Sequence, residues 1–169
     1  MRRRPASSSG GTPATTVLTR AQEPFTAHAY ESTPGAVSYG AEAAAQLAPT
    51  VGVEPRQVFK TLVAQVDDTL VVAVLPVTDS LSLKALAAAA GAKRAKMASV
   101  GDAERATGYV VGGISPLGQR RRLPTYLDSS AMEHDTVLVS GGRRGLDLQL
   151  TPDTLARLTG AVLVPIAQP

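Results

Sequence analysis

The sequence predicts one α+β domain, built on a mixed, curved β-sheet or partial barrel that is flanked by helices. The chain has 169 residues, of which 44% are hydrophobic, so it is long enough and apolar enough for a single buried core. Segments rich in β-branched residues outnumber the helical segments. Neighbouring strands are also joined more often by short turns than by helices, which favours hairpins over parallel β-α-β units.

A disordered basic tail is predicted at residues 1–11, before a single domain at residues 12–169. The tail has arginine at positions 2–4, together with serine and glycine, and no apolar periodicity. The first helix is expected to follow directly, because Thr12 is a good N-cap and Pro13 suits a first turn. This helix should end near Gln22.

The next predicted elements are a short strand at 25–31 and an alanine-rich helix at 40–47, separated by a Pro-Gly turn. Two β-branched runs follow, at 58–66 and 70–77, and a short acidic turn joins them. They predict a hairpin. Because the second run is almost continuously apolar, we expect that strand to be buried on both faces.

The second half of the chain is predicted to combine short strands with further helices. The helices are expected at 81–90, 100–106 and 151–158. The strands are expected at 93–97, 125–127, 136–140, 146–150 and 161–166. Between them, residues 110–124 contain glycines, prolines and three arginines, which predicts a long loop rather than a helix or a strand.

The composition excludes several functional classes. No run of about 18 apolar residues could span a membrane, so no membrane partner is expected. The basic start lacks the apolar segment of a secretory signal, which predicts a cytoplasmic location. Cysteine is absent, which excludes disulfides, thiolate metal sites and a cysteine nucleophile. The only histidines, His28 and His134, lie too far apart for a metal hydrolase motif, so we expect neither a metal nor another cofactor.

The charge is nearly balanced outside the tail. The formal net charge is +3, and without the arginines at positions 2–4 the chain has 14 basic and 14 acidic residues. Attraction to a polyanion would therefore depend on local basic clusters. Each cluster either is a solvated surface or contacts phosphate groups, and DNA is not an expected partner. The three clusters are Lys93, Arg94 and Lys96; Arg120, Arg121 and Arg122; and Arg143 and Arg144.

Lys60 is unusual because it lies within an otherwise apolar predicted strand. The two-residue period of a strand places Phe59, Thr61 and Val63 on the opposite face. Lys60 then has two interpretations. It either faces solvent, or it is a cation held on a rigid element to bind a phosphate or polarise a carbonyl group.

The segment from Gly112 to Gly118, GGISPLG, could present backbone N–H groups to an anion or a developing oxyanion, because glycine lets a ligand approach the main chain. It has neither a GK[ST] sequence nor GxGxxG spacing, which argues against a nucleoside triphosphate or dinucleotide site. The alternative interpretation is a tight structural turn.

A second glycine-rich turn lies between Ser140 and Asp147. Asp147 should face away from the neighbouring leucines, where it could be an ordinary solvent-exposed carboxylate. His28 and Tyr30 share one face of their predicted strand. Spacing alone assigns no Ser-His-Asp triad.

Five ordered segments of the chain together resemble the YbaK/EbsC family. The resemblance extends over about residues 12–166, and its most specific part is the block at 107–124. The segments are 59–62 (FKTL), 70–77, 83–84, 103–118 and 140–147.

This resemblance implies the fold of the editing domain that is inserted in bacterial prolyl-tRNA synthetases. It also implies a free-standing deacylase that releases cysteine from mischarged Cys-tRNA(Pro), with tRNA and prolyl-tRNA synthetase as partners. Lys60 matches the key functional residue of the family. The residues that match its pocket are Tyr30, Thr61, Gly112, Gly113, Ile114, Ser115, Pro116, Gly118, Ser140 and Asp147.

The family mechanism needs no nucleophile from the enzyme, because the thiol of the substrate cysteine attacks its own ester carbonyl. Three alternatives remain open. The first is a deacylase for alanine or another small residue, which would need an activated water. The others are a non-catalytic module that binds tRNA or a synthetase, and a binder of small nucleotides or phosphates.

Overall fold

The computed structural model describes residues 11–36 and 38–169, so the predicted disordered tail lies outside the described residues except for Gly11. The helices are α1 (Pro13–Arg20), α2 (Tyr39–Val51), α3 (Leu83–Ala89), α4 (Val100–Thr107) and α5 (Pro152–Thr159). The strands are β1 (Thr26–Ala29), β2 (Phe59–Val66), β3 (Thr69–Pro76), β4 (Ser80–Leu81), β5 (Ala95–Met97), β6 (Thr125–Asp128), β7 (Val137–Ser140), β8 (Leu146–Leu150), β9 (Val162–Val164) and β10 (Ala167–Gln168).

The described strands form three sheets that do not close into a barrel. The largest sheet has the order β5-β2-β3-β6-β9, with antiparallel pairs around β2 and parallel pairs on both sides of β6. A second, antiparallel sheet has the order β1-β8-β7, and β4 pairs with β10. The prediction of a mixed sheet flanked by helices is confirmed.

Local capping signals explain where most helices begin. The side chains of Thr12, Ser99 and Thr151 accept hydrogen bonds from the backbone N–H groups of the first turns of α1, α4 and α5. The prediction of a helix from residue 81 is wrong at its start. Residues 80–81 pair with β10 instead, a contact with the far end of the chain that no local pattern indicates.

The hairpin of β2 and β3 passes through the centre of the core. Val72 and Val74 belong to the largest buried cluster, whereas Val71 and Ala73 belong to a second cluster on the other face of β3. The prediction that this strand is buried on both faces is therefore confirmed. No helix among the described residues is long and apolar enough to cross a membrane.

Candidate functional site

A cavity of about 410 Å³ lies beside β2, between the first turns of α2 and α4, the end of β7 and the start of β8. This volume is typical of a small-molecule site. Seven of the eleven site residues predicted from the sequence line the cavity, although they come from distant parts of the chain. They are Tyr30, Lys60, Thr61, Gly112, Ile114, Ser140 and Asp147.

The other four predicted residues do not line this cavity. A Cβ on Gly113 would lie 2.7 Å from the Cα of Arg143, so this glycine permits close backbone packing. Ser115 is fully buried, and its hydroxyl oxygen accepts a hydrogen bond from the Leu117 N–H. Pro116 and Gly118 border a second cavity of about 210 Å³. This half of the loop therefore packs against the protein interior.

Lys60 lies half-buried in the cavity wall. Its Nζ donates a hydrogen bond to the carbonyl oxygen of Asp79 at 2.6 Å. Burial lowers the pKa of Lys60 from its ordinary value, and the charge of Asp79 opposes this shift. No ion pair joins Lys60 to a carboxylate within the described residues. Lys60 is thus a partly desolvated cation at the cavity rather than a fully solvated one.

Asp147 lies deep in the cavity wall, with only 3% of its surface exposed. Its position in β8 is directly opposite Ser140 in β7 and His28 in β1. Its carboxylate forms no hydrogen bond or ion pair with any described residue, and burial raises the pKa of Asp147 to about 7. The interpretation of Asp147 as a solvent-exposed carboxylate is therefore wrong, because the packed sheet excludes water from it.

Tyr30 lies beyond the end of β1, where its backbone N–H donates a hydrogen bond to the carbonyl oxygen of Gly145 at 2.9 Å. Burial raises the pKa of Tyr30 to about 12, and the charge of Asp147 adds to this shift. Tyr30 is therefore a neutral phenol at neutral pH. The hydroxyl oxygen of Thr61 is also buried at the cavity, with no hydrogen-bond partner among the described residues.

The glycine loop enters the cavity at Gly112 and Ile114. The N–H groups of these two residues form no hydrogen bond within the described residues, whereas the Gly113 N–H donates to the Val110 carbonyl oxygen. Gly112 has a φ of +91°, and a Cβ there would lie 2.8 Å from the ring of Tyr39. Only glycine fits this position, because both the backbone conformation and the space exclude a side chain.

Sequence reasoning missed Tyr39 as a site residue and did not assign Arg144 to the site. The guanidinium carbon of Arg144 lies 4.6 Å from the centre of the Tyr39 ring, and its Nε donates to the carbonyl oxygen of Val111 at 2.9 Å. This stack lies over Gly112 at the cavity. Arg144 belongs to the basic cluster of Arg143 and Arg144, but no spacing rule relates it to Tyr39, which lies 105 positions earlier.

The three basic clusters differ in their surroundings. Arg121 and Arg122 border the second cavity, and no residue from Arg120 to Arg122 has an acidic partner among the described residues. The backbone N–H groups of Lys93 and Arg94 donate to the carboxylate of Asp67.

The part of the chain that the structure describes contains no group of three His, Asp or Glu side chains that could hold a metal ion.

Comparison with known proteins gives one family match. Residues 39–158 match the model of a family described as the aminoacyl-tRNA editing domain. A protein of Enterococcus faecalis, provisionally named Cys-tRNA(Pro)/Cys-tRNA(Cys) deacylase EbsC, is 40% identical over 124 residues, which cover 73% of this chain and 76% of that protein. Tyr30 is the one predicted site residue outside the region matched by the family model.

Two solved structures share the fold. One, provisionally described as a trans-editing enzyme for prolyl tRNA synthetase, has a TM-score of 0.80 at 22% identity and covers 99% of this chain and 100% of its own. The other, from computational grafting of epitopes onto scaffold proteins, has a TM-score of 0.78 at 23% identity, covering 93% and 97% of the two chains.

Proposed function

The chain belongs to the aminoacyl-tRNA editing domain family and is an aminoacyl-tRNA deacylase, and we propose that its substrate is Cys-tRNA(Pro). One observation carries the assignment of the site. The cavity has a half-buried lysine and a buried carboxylate, and neither side chain has a charged partner among the described residues. Both charges are thus available to a ligand that is cationic at one end and anionic at the other, as an aminoacyl nucleotide is.

Lys60 anchors the 3′-terminal nucleotide by its phosphate or its sugar. Its ammonium group has a carbonyl partner in the described residues, and a phosphate oxygen would add the opposite charge. Asp147 binds the ammonium group of the aminoacyl moiety, which supplies the cation that its carboxylate lacks. Ser140, opposite Asp147 in the sheet, offers a hydroxyl group to the same amine or to the ribose.

The ester carbonyl oxygen lies against the glycine loop. The free N–H groups of Gly112 and Ile114 are the donors of this loop that remain available at the cavity. Backbone donors that are already held in place stabilise the negative charge that develops on this oxygen without further reorganisation.

The reaction uses the substrate's own nucleophile. The cysteine sulfur forms a bond to its ester carbonyl carbon, the bond from that carbon to the ribose oxygen breaks, and the thiol proton is transferred to that departing oxygen, which becomes the ribose hydroxyl. The product is a cyclic thioester, which water then opens. Orientation alone can supply about 7–11 kcal/mol of the barrier in such an intramolecular step. Among the described residues, the cavity lining contains no histidine, which fits a site that positions the substrate rather than activating a serine.

Prolyl-tRNA synthetase is the proposed protein partner. The chain outside its tail is nearly neutral, so its own field for attracting tRNA is weak. A complex with the synthetase would supply the selection of tRNA(Pro). The description of the structural relative as a trans-editing enzyme for that synthetase supports this proposal.

The test is single-turnover release of amino acid from Cys-tRNA(Pro), with Ala-tRNA(Pro) and Ser-tRNA(Pro) in parallel. We expect release of cysteine only, and a loss of about 100-fold or more in Lys60→Ala. Lys84→Ala is the matched control, because Lys84 is exposed and does not line the cavity.

The other outcomes separate the alternatives. Release of alanine or serine would require a water-based mechanism and would contradict the thiol-assisted step. Binding of tRNA without any release would identify a recruitment module instead of an enzyme. Equal rates in the two lysine variants would remove Lys60 from the site.

A further inference from the structure

One side of β2 is paired with neighbouring strands only near its two ends. β3 pairs with β2 along its whole length. On the other side, Val58 forms a bridge with Leu138 just before β2 begins, and β5 pairs only with residues 64–66. The strand edge in between, which contains Thr61, therefore forms part of the cavity wall.

The backbone of Thr61 points out of this edge. The Val72 N–H donates to Pro124 and the carbonyl oxygen of Val63 accepts from Ala98, so the paired residues Val63 and Val72 direct their backbone groups away from each other. Backbone direction repeats every two residues along a strand, so the N–H and C=O of Thr61 also point away from β3.

The strand pairings assign no partner to the backbone groups of Thr61 on this side, because β5 pairs only with residues 64–66 and the bridge to Leu138 is at Val58. The Thr61 hydroxyl is likewise buried without a partner. Unpaired backbone groups are costly when they are shielded from water, so they require a polar ligand or ordered water. The cavity therefore has one donor and one acceptor side by side at this position.

An apolar surface lies next to this gap. Met97 at the end of β5 and Val100 at the start of α4 both line the cavity, yet 45% and 59% of their respective surfaces are exposed. Ala98, between them, also lines it. Exposed apolar side chains at the rim of a polar cleft are suited to the face of a planar heteroaromatic ring.

We propose that the gap at Thr61 binds the adenine base of the 3′-terminal nucleotide of tRNA. The inference deepens the proposed function and rests on it for the identity of the ligand. Adenine has an N6 amino donor next to a ring-nitrogen acceptor, which matches one carbonyl and one N–H. The face of the base packs on Met97 and Val100. Because backbone groups read the edge of the base, the side chain of Thr61 is not needed for that recognition.

This placement divides the site between two sheets. β2 and its rim hold the base, Lys60 holds the sugar or phosphate, and the start of β8 holds the aminoacyl group at Asp147. The ester then lies between them, beside the glycine loop. The proposal thus gives a role both to the apolar residues and to the buried carboxylate of the cavity lining.

The direct test uses an unreactive mimic, 3′-deoxy-3′-(cysteinylamino)adenosine, in which an amide replaces the ester. Its affinity for the full chain is measured by calorimetry beside the N6,N6-dimethyladenine and abasic analogues. We expect the dimethyl analogue to bind about 10-fold more weakly, because it has lost its donor, and the abasic analogue to bind still more weakly. Equal affinity of all three compounds would overturn the inference.

Two double variants test the apolar rim. Met97→Ala with Val100→Ala should reduce the affinity ratio between the adenosine mimic and its abasic analogue by about 10-fold. Met132→Ala with Val162→Ala is the matched control, because these residues are 46% and 51% exposed and do not line the cavity. An unchanged ratio in the first pair, or the same decrease in both pairs, would remove Met97 and Val100 from the base site.

The outcomes separate this inference from the proposed function. Deacylation of Cys-tRNA(Pro) together with equal binding of all analogues would refute only the base site. Selective binding of the adenine mimic without deacylation would refute only the proposed reaction.

Discussion

Two buried aspartates of this protein have opposite surroundings. Asp128 is the last residue of β6 and is 5% exposed, and Asp147 lies at the cavity and is 3% exposed. The Asp128 carboxylate accepts hydrogen bonds from the backbone N–H groups of Ile166 and Ala167, both at 2.9 Å. It also accepts from the N–H and the hydroxyl of Ser130. Asp147 has no such partner in the described residues, and burial raises its pKa to about 7.

The comparison separates a carboxylate that holds the fold together from one that the fold leaves available. Burying a charge is unfavourable unless hydrogen bonds or an opposite charge compensate it. The protein itself satisfies Asp128, which ties the end of the chain to β6. Asp147 remains unsatisfied at a cavity, as expected of a group whose partner is a ligand.

The largest expected effect is on stability, in Asp128→Ala. The change removes every acceptor of these four hydrogen bonds and leaves the Ile166 N–H buried without a partner. We expect the free energy of unfolding to fall by about 3–5 kcal/mol, measured by denaturant titration. Asp135→Ala, at an exposed position, should change it by less than about 0.5 kcal/mol. A similar small change in both variants would show that Asp128 is not a structural anchor.

Asp147→Asn should change the free energy of unfolding in the opposite direction from Asp128→Ala. The substitution removes a buried charge that has no partner, so at pH 8 we expect the unfolding free energy to rise by about 2–4 kcal/mol. Deacylation should decrease in the same variant, because the amine of the substrate loses its anion. A loss of stability comparable to that of Asp128→Ala would instead mean that Asp147 has a structural partner.

The pH dependence of stability sharpens the comparison further. The pKa of Asp147 is about 7 in the folded state, against an ordinary value of 3.8. At a pH between these two values, the folded state therefore retains a proton that the unfolded state has lost. This group therefore lowers stability as pH rises from about 4 to 7, by about 1.4 kcal/mol per pH unit, and contributes no slope above 7. The difference between the wild type and Asp147→Asn, measured by denaturant titration across this range, should follow that slope. A constant difference across the range would contradict the raised pKa.

The same contrast applies to positive charges, with a smaller expected effect. Arg157 pairs with Glu23 and Asp153, whereas residues 120–122 have no acidic partner among the described residues. If the latter contact tRNA phosphates, replacing all three by glutamine should reduce the slope of log KM against log salt by about 1 or more. Arg157→Gln should leave that slope unchanged. If the triple variant keeps the wild-type slope, the cluster is only a solvated surface.

Local sequence signals predicted much of the fold, but they did not predict the difference between the satisfied Asp128 and the unsatisfied Asp147. The N-caps at Thr12, Ser99 and Thr151 and the β2–β3 hairpin follow from short-range patterns, because capping and strand periodicity act within a few residues. The resemblance to a known family predicted Lys60 and Asp147 as site residues. Neither periodicity nor spacing indicated that Asp147 is buried.

The sequence by itself thus determined the element types, the mixed sheet and the family. The tertiary structure alone decided which charges are satisfied, where the cavity lies and which half of the glycine loop reaches it. Thr61 illustrates the physical reason. Its backbone lies in a gap of the strand pairing, because the bridge to β7 comes before it and β5 pairs only after it, and that arrangement depends on strands from three distant parts of the chain.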